Sequence, residues 1–216
     1  MKRPLLIALV ALGWVALLGA GALSASIVNS KHDLSAGSLN GGITSSESQV
    51  CIFCHTPHSA TANTPPLWNR SKGAGPYQMY SNPGSIQGQI AAAPDGGSEL
   101  CLSCHDGTIA LNSVVNESAT GTPTLNDART PSHLTADGKL TGYALIGTDL
   151  RNDHPVSITY AYPDDPGLNN PATLSLPLYN NKVQCSSCHS VHDPANTPFL
   201  RLNNTGSALC LACHNK

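Results

Sequence analysis

Cys51-Ile-Phe-Cys54-His55-Thr-Pro-His58 and Cys185-Ser-Ser-Cys188-His189-Ser-Val-His192 are the stretches on which the reading of this 216-residue chain turns. Each carries two thiols one helical turn apart, an imidazole at the next position and a second imidazole three residues on. Cys101-Leu-Ser-Cys104-His105 and Cys210-Leu-Ala-Cys213-His214 repeat the first five positions, so the four units use all eight cysteines. Cys-x-x-Cys-His is the attachment spacing of c-type haem. The two thiols add to the vinyl groups on one edge of a porphyrin, and the next residue brings an imidazole to the iron. Zinc would explain paired thiols but not a histidine directly after every pair, and disulfides of an exported chain would place no demand on that position. Four covalently attached haems are therefore expected. Cys51, Cys54, Cys101, Cys104, Cys185, Cys188, Cys210 and Cys213 would form the thioethers, with His55, His105, His189 and His214 as proximal iron ligands.

The residue on the far side of each iron separates electron transfer from catalysis, because an iron with an open position binds substrate and one with two protein ligands does not. Of nine histidines, five lie outside the motifs: His32, His58, His133, His154 and His192. Beyond the N-terminal stretch Met79 is the one thioether, and it reads as packing. Gly97-Ser-Glu-Leu-Cys-Leu-Ser-Cys-His105 matches Gly206-Ser-Ala-Leu-Cys-Leu-Ala-Cys-His214 at seven of nine positions. Asn63-Thr-Pro65 follows His58, as Asn196-Thr-Pro198 follows His192. The chain thus reads as one two-haem unit written twice, each with a lone upstream histidine. His32, His58, His154 and His192 are the expected distal ligands, two per unit, and His133 reads as a surface residue. His58 and His192, tied to the proximal side of their own motif, should reach a different haem. Asp33, Asp106, Asp153 and Asp193 lie beside these histidines and are candidate acceptors for an imidazole Nδ1 proton.

Only 11% of residues are charged, against about 25% in ordinary domains. With 11 Lys+Arg against 13 Asp+Glu and no basic run, nucleic-acid binding is excluded. Aromatic residues make up 5%, too few for a large aromatic core, so the porphyrins are expected to serve as the interior. The fold expected is one of few secondary structures: a mostly irregular multihaem cytochrome c wrapped around four haems, with short helices at the motifs and at most one or two short strands. Lys2 and Arg3, an uncharged run from Pro4 to Leu23 and small residues over Ala22 to Ser26 form a secretory signal peptide, residues 1–25, cut within 22–26; an uncleaved anchor is the alternative. Residues 26–216 read as a single tetrahaem domain of two units, about 26–115 and 150–216. Thr44-Ser-Ser-Glu47 is a capping-box pattern, Ser98 and Ser207 are N-cap candidates, and Val156, Ile158, Tyr160 and Tyr162 alternate as in a strand. Residues 106–150 read as surface wrapping, and 163–180 as an extended connection.

These motifs, with Pro66-Leu-Trp-Asn-Arg70 and Gly147-Thr-Asp-Leu-Arg-Asn-Asp-His-Pro155, resemble the small tetrahaem cytochromes of metal-reducing microbes that polymerise into extracellular filaments. The resemblance spans nearly all of the chain after the signal peptide; the long 106–150 segment and His133 depart from it. It implies two histidines on every iron, a continuous haem chain, and end-to-end assembly in which one axial histidine comes from a neighbouring copy, with His32 as the expected donor. The function it implies is extracellular electron transfer without catalytic residues, from redox partner proteins to minerals, electrodes or cells. A soluble periplasmic tetrahaem carrier and a membrane-anchored quinol-oxidising tetrahaem cytochrome are the alternatives. A catalytic multihaem reductase would need an open iron position.

Overall fold

Glycine and proline, 19 and 16 of the residues, interrupt almost every regular run, and what remains between them is short. A computed structural model describes residues 26–215 except Asn63, Pro65 and Pro83; the expected signal peptide lies outside the described residues. Among the described residues the longest element is α1, Gly96–His105, which carries the second Cys-x-x-Cys-His unit. Asp95 precedes it in extended conformation, and Glu99 places a carboxylate in the first turn, where the helix dipole favours it. The third and fourth units begin in single turns, α2 (Cys185–Cys188) and α3 (Ala208–Leu211). Helices this short do not persist alone. In α2 the Gln184 N–H donates to Ser187 Oγ at 3.0 Å, one arm of a capping box.

Thr44 to Glu47 does not start a helix. Ile43–Ser45 forms β1, antiparallel to β2 (Leu125–Asp127) in the register Ile43 to Asp127 and Ser45 to Leu125. The first motif is a bare turn, closed by His55 N–H to Cys51 O at 2.8 Å. Ser98 is likewise inside α1 rather than its cap, and Ser207 sits at the α3 N-cap position without a capping bond. A second ladder pairs β3 (Ile158–Thr159) with β4 (Lys182–Val183). The alternation read over 156–162 holds for Ile158 and Tyr160, which are buried, and stops at Tyr162, which is exposed. Ser157 breaks it: a left-handed φ of 56° turns this residue fully inward. The 163–180 connection is not extended throughout: turns occupy 162–167, closed by Asp165 N–H to Ala161 O at 2.8 Å, and a 3-10 turn forms at Pro171–Thr173.

The apolar interior is small. Ile43, Leu111 and Leu140 form the one cluster found among the described residues, flanked by Leu34, Cys104, Leu125, Leu134 and Ala144. Residues 106–150 supply most of it, so this segment is a packing wall and not only surface wrapping. Polar side chains hold the rest. Asn69 and Arg70 are fully buried. Asn69 Nδ2 donates to Ile52 O at 2.7 Å and Asn116 O at 2.9 Å, while the Arg70 guanidinium donates to Leu111 O and Ala110 O, both at 2.7 Å. The two residues thus pin the first motif against the second and against the loop that follows it.

Candidate haem sites

The first and third motifs share one cradle. Trp68 bridges to His55 and Leu200 bridges to His189 as isolated antiparallel pairs. Asn69 N–H reaches Cys54 O, and Arg201 N–H reaches Cys188 O, both at 2.8 Å. In each loop the residue after the proline is left-handed, Leu67 at φ 59° and Phe199 at φ 61°, a conformation that costs a side-chain-bearing residue about 1–2 kcal/mol. It turns the preceding carbonyl onto the motif histidine: His55 Nδ1 lies 2.8 Å from Pro66 O, and His189 Nδ1 lies 2.9 Å from Pro198 O. The sequence repeat pointed to these loops through Asn63-Thr-Pro65 and Asn196-Thr-Pro198, but Pro66 is the counterpart of Pro198. Asn63 and Pro65 lie outside the described residues.

The carbonyl contacts settle the tautomer. His105 Nδ1 lies 2.7 Å from Ala144 O, and His154 Nδ1 lies 3.0 Å from Pro155 O. A carbonyl only accepts, so the proton sits on Nδ1 and the lone pair on Nε2, the arrangement of a metal-binding imidazole. The four aspartates do not take this role. Asp33 accepts from Ser35 N–H and Oγ–H, Asp106 from Tyr77 Oη–H at 2.6 Å and from Thr108, and Asp193 from Ala195 N–H. Asp153 is placed by its N–H, which donates to Leu150 O at 3.4 Å. Asp33, Asp106 and Asp193 each close a turn with the N–H two residues on, and uncharged backbone carbonyls hold the rings instead.

Histidine rings meet in pairs. His105 faces His32 with ring centres 6.0 Å apart, His55 faces His192 at 6.2 Å, and His214 faces His154 at 6.4 Å. His192 belongs to the second unit and its ring lies against His55 of the first, so the two units interlock. His32 is half-buried and its pKa falls to about 4, through desolvation first and then the neighbouring His105, His189 and His192; it stays neutral, with a lone pair to offer. His58 is exposed, and among the described residues neither it nor His189 has a facing imidazole. His133 is half-buried and packs edge-on against Tyr143 at 4.8 Å.

All eight thiols are free of disulfides. Among the described residues no three His, Cys, Asp or Glu side chains converge as a zinc site would require. Burial pushes the Cys54 thiol up to about 12, with Cys104 adding to the effect and Arg70 opposing it. Cys101 hydrogen-bonds to Cys185, which raises Cys101 and lowers Cys185. Cys188 is raised by burial and by Cys213 beside it. The raised thiols of Cys54, Cys101 and Cys188 are poor redox or metal groups. With paired cysteines, an Nε2 lone pair after each of three motifs and little apolar core, the residues present fit haem c.

Among curated proteins none matches the chain. Residues 178–216, which hold the third and fourth motifs, match the family described as the doubled CXXCH motif, and this match, with two more copies of the motif upstream, supports a multihaem c-type cytochrome that binds haem c covalently and transfers electrons.

Proposed function

We propose that this chain is a tetrahaem electron carrier, exported from the cell, that joins end to end into filaments delivering electrons to external acceptors. The observation that carries the reading is the interlocking of the motifs. Cys185 N–H of the third motif donates to Ser98 Oγ in the helix of the second at 3.0 Å, and His192 beside the third lies with its ring centre 6.2 Å from that of His55 in the first. Attachment points far apart in sequence are thus gathered together, which supports electron passage from haem to haem. When bound, haem supplies one-electron chemistry between ferric and ferrous iron. The protein's part is to hold each edge by two cysteines, to present Nε2 by fixing the proton on Nδ1, and to exclude water with Leu102, Phe53 and Trp68, which are buried around the motifs.

We assign the donor role between copies away from His32, whose half-buried ring lies 6.0 Å from that of His105 in its own chain. That role passes to His58, which is exposed, with His189 of the next copy as the site it completes. The test is electron microscopy of sheared cell-surface material, with the chain identified in it by a mass that includes four haems. Thin regular filaments of the native chain, lost in His58→Ala while haem loading persists, are expected. Dispersed particles recovered from the periplasmic fraction would replace this reading with the soluble carrier.

A further inference from the structure

We infer that the haem on Cys51 and Cys54 is held between His55 and His192 with near-parallel imidazoles, while those on Cys101/Cys104 and Cys210/Cys213 are held between crossed imidazoles, His105/His32 and His214/His154. The inference rests on the multihaem reading above and adds which ligand serves which haem and how the sites differ.

The distances carry the pairing. Two imidazoles bonded to opposite sides of one metal have bonds of about 2 Å each; with about 1 Å from each nitrogen to its ring centre, the centres lie about 6 Å apart. The three pairs lie at 6.0, 6.2 and 6.4 Å. Of the other ring contacts among the described residues, His32 on Phe199 at 4.6 Å and His133 on Tyr143 at 4.8 Å come closer, and the larger indole of Trp68 lies 5.8 Å from His55. Each of the three pairs joins one motif histidine to one histidine from outside the motifs, and no histidine occurs twice. In each pair at least one ring keeps its proton on Nδ1 against a carbonyl, for His55, His105 and His154, which leaves Nε2 as the metal-binding nitrogen.

The angles carry the difference. The His55 and His192 planes meet at 23°, whereas the other two pairs cross at 63° and 65°. Parallel imidazoles donate π density into the same iron orbital and split it from its partner. Crossed imidazoles donate into both orbitals and leave them nearly degenerate. The His55 plane is held by Pro66 O and by the indole of Trp68, edge-on at 82°. The His32 ring is held edge-on by Phe199, 4.6 Å away at 66°.

The test is low-temperature electron paramagnetic resonance of the oxidised, haem-loaded protein, with haem number read by intact mass. A rhombic low-spin signal from the His55 site and broad signals at large g from the two crossed sites are expected. His192→Ala should abolish that rhombic signal, add a high-spin one and leave the large-g features; His32→Ala and His154→Ala should each remove a large-g feature and spare the rhombic signal. A rhombic signal of the His55 site that survives His192→Ala, or one lost in His32→Ala or His154→Ala, would overturn the pairing. The two latter variants decide the matter if His192→Ala does not accumulate. A mass short of four haems would instead count against the tetrahaem reading, whatever the spectra of the remaining sites.

Discussion

Ser98 Oγ donates to Gln184 Oε1 at 2.5 Å across 86 residues of sequence, and both side chains are buried. Gln184 Oε1 also accepts from Ser157 Oγ, its Nε2 donates to Asp95 Oδ1, and Ser98 Oγ accepts from Cys185 N–H. This closed network seats α2 on α1 and brings Cys101 to Cys185. Ser98→Ala leaves the Cys185 N–H without its acceptor and removes a donor from Gln184, at about 1–3 kcal/mol for an unsatisfied buried group. Denaturant unfolding of the haem-loaded protein should show a lower midpoint with an unchanged slope. An unchanged midpoint would mean that the network adds nothing to stability.

Arg70 is a fully buried cation held by the carbonyls of Leu111 and Ala110, with Ser103 O at 3.4 Å. Lysine keeps the charge but lacks the planar fork that spans two carbonyls at once. Arg70→Lys should therefore cost about 1.5–3 kcal/mol, the worth of one charged hydrogen bond, and Arg70→Ala more. Thermal unfolding of the holoprotein checks both; equal stability of the lysine variant would show that charge alone is needed.

Asp127 gives a pH signature. Its carboxyl is held well below the ordinary aspartate range, first by the Arg129 guanidinium at 2.7 Å and also by the His133 and Arg129 N–H groups. Because the folded value lies below the unfolded one, the stabilisation is complete above about pH 4, the ordinary aspartate value, and fades as acid protonates the folded carboxylate. Asp127→Asn should be less stable than the native chain at neutral pH by about 1–3 kcal/mol. The gap should narrow when unfolding is repeated at successively lower pH below 4; a gap independent of pH would exclude the carboxylate charge as its source.

His133 is the histidine that the ring pairs leave on Tyr143. His133→Ala should retain full haem mass and unchanged visible and paramagnetic spectra, with a stability loss of about 0.5–1.5 kcal/mol from the lost ring contact. Any loss of a low-spin signal would place it on an iron.

The chemistry of the motifs was readable from residue order because it is local: two thiols and an imidazole on one turn need nothing from the rest of the chain. The capping pattern Thr44-Ser-Ser-Glu47 misled for a related reason, since local propensity yielded to pairing with Leu125–Asp127. The cysteine-free 106–150 segment lacked periodicity, so neither its packing of Leu111 and Leu140 nor the Ala144 carbonyl on His105 could be foreseen. Side-chain identity says nothing about which backbone carbonyl will face a given imidazole. The aspartates beside the histidines looked suitable by proximity in sequence and instead closed their own turns.

By itself, then, the sequence determined the cofactor chemistry, the paucity of regular structure and the doubled unit, all properties of neighbours along the chain. Only the tertiary structure decided that His192 crosses to His55, that His32 turns inward to His105 and that His58 stays outside. A facing pair of imidazoles depends on how loops more than a hundred residues apart come to rest, and hydrogen bonds such as that from Ser98 to Gln184, not any periodic pattern of residues, fix where they do.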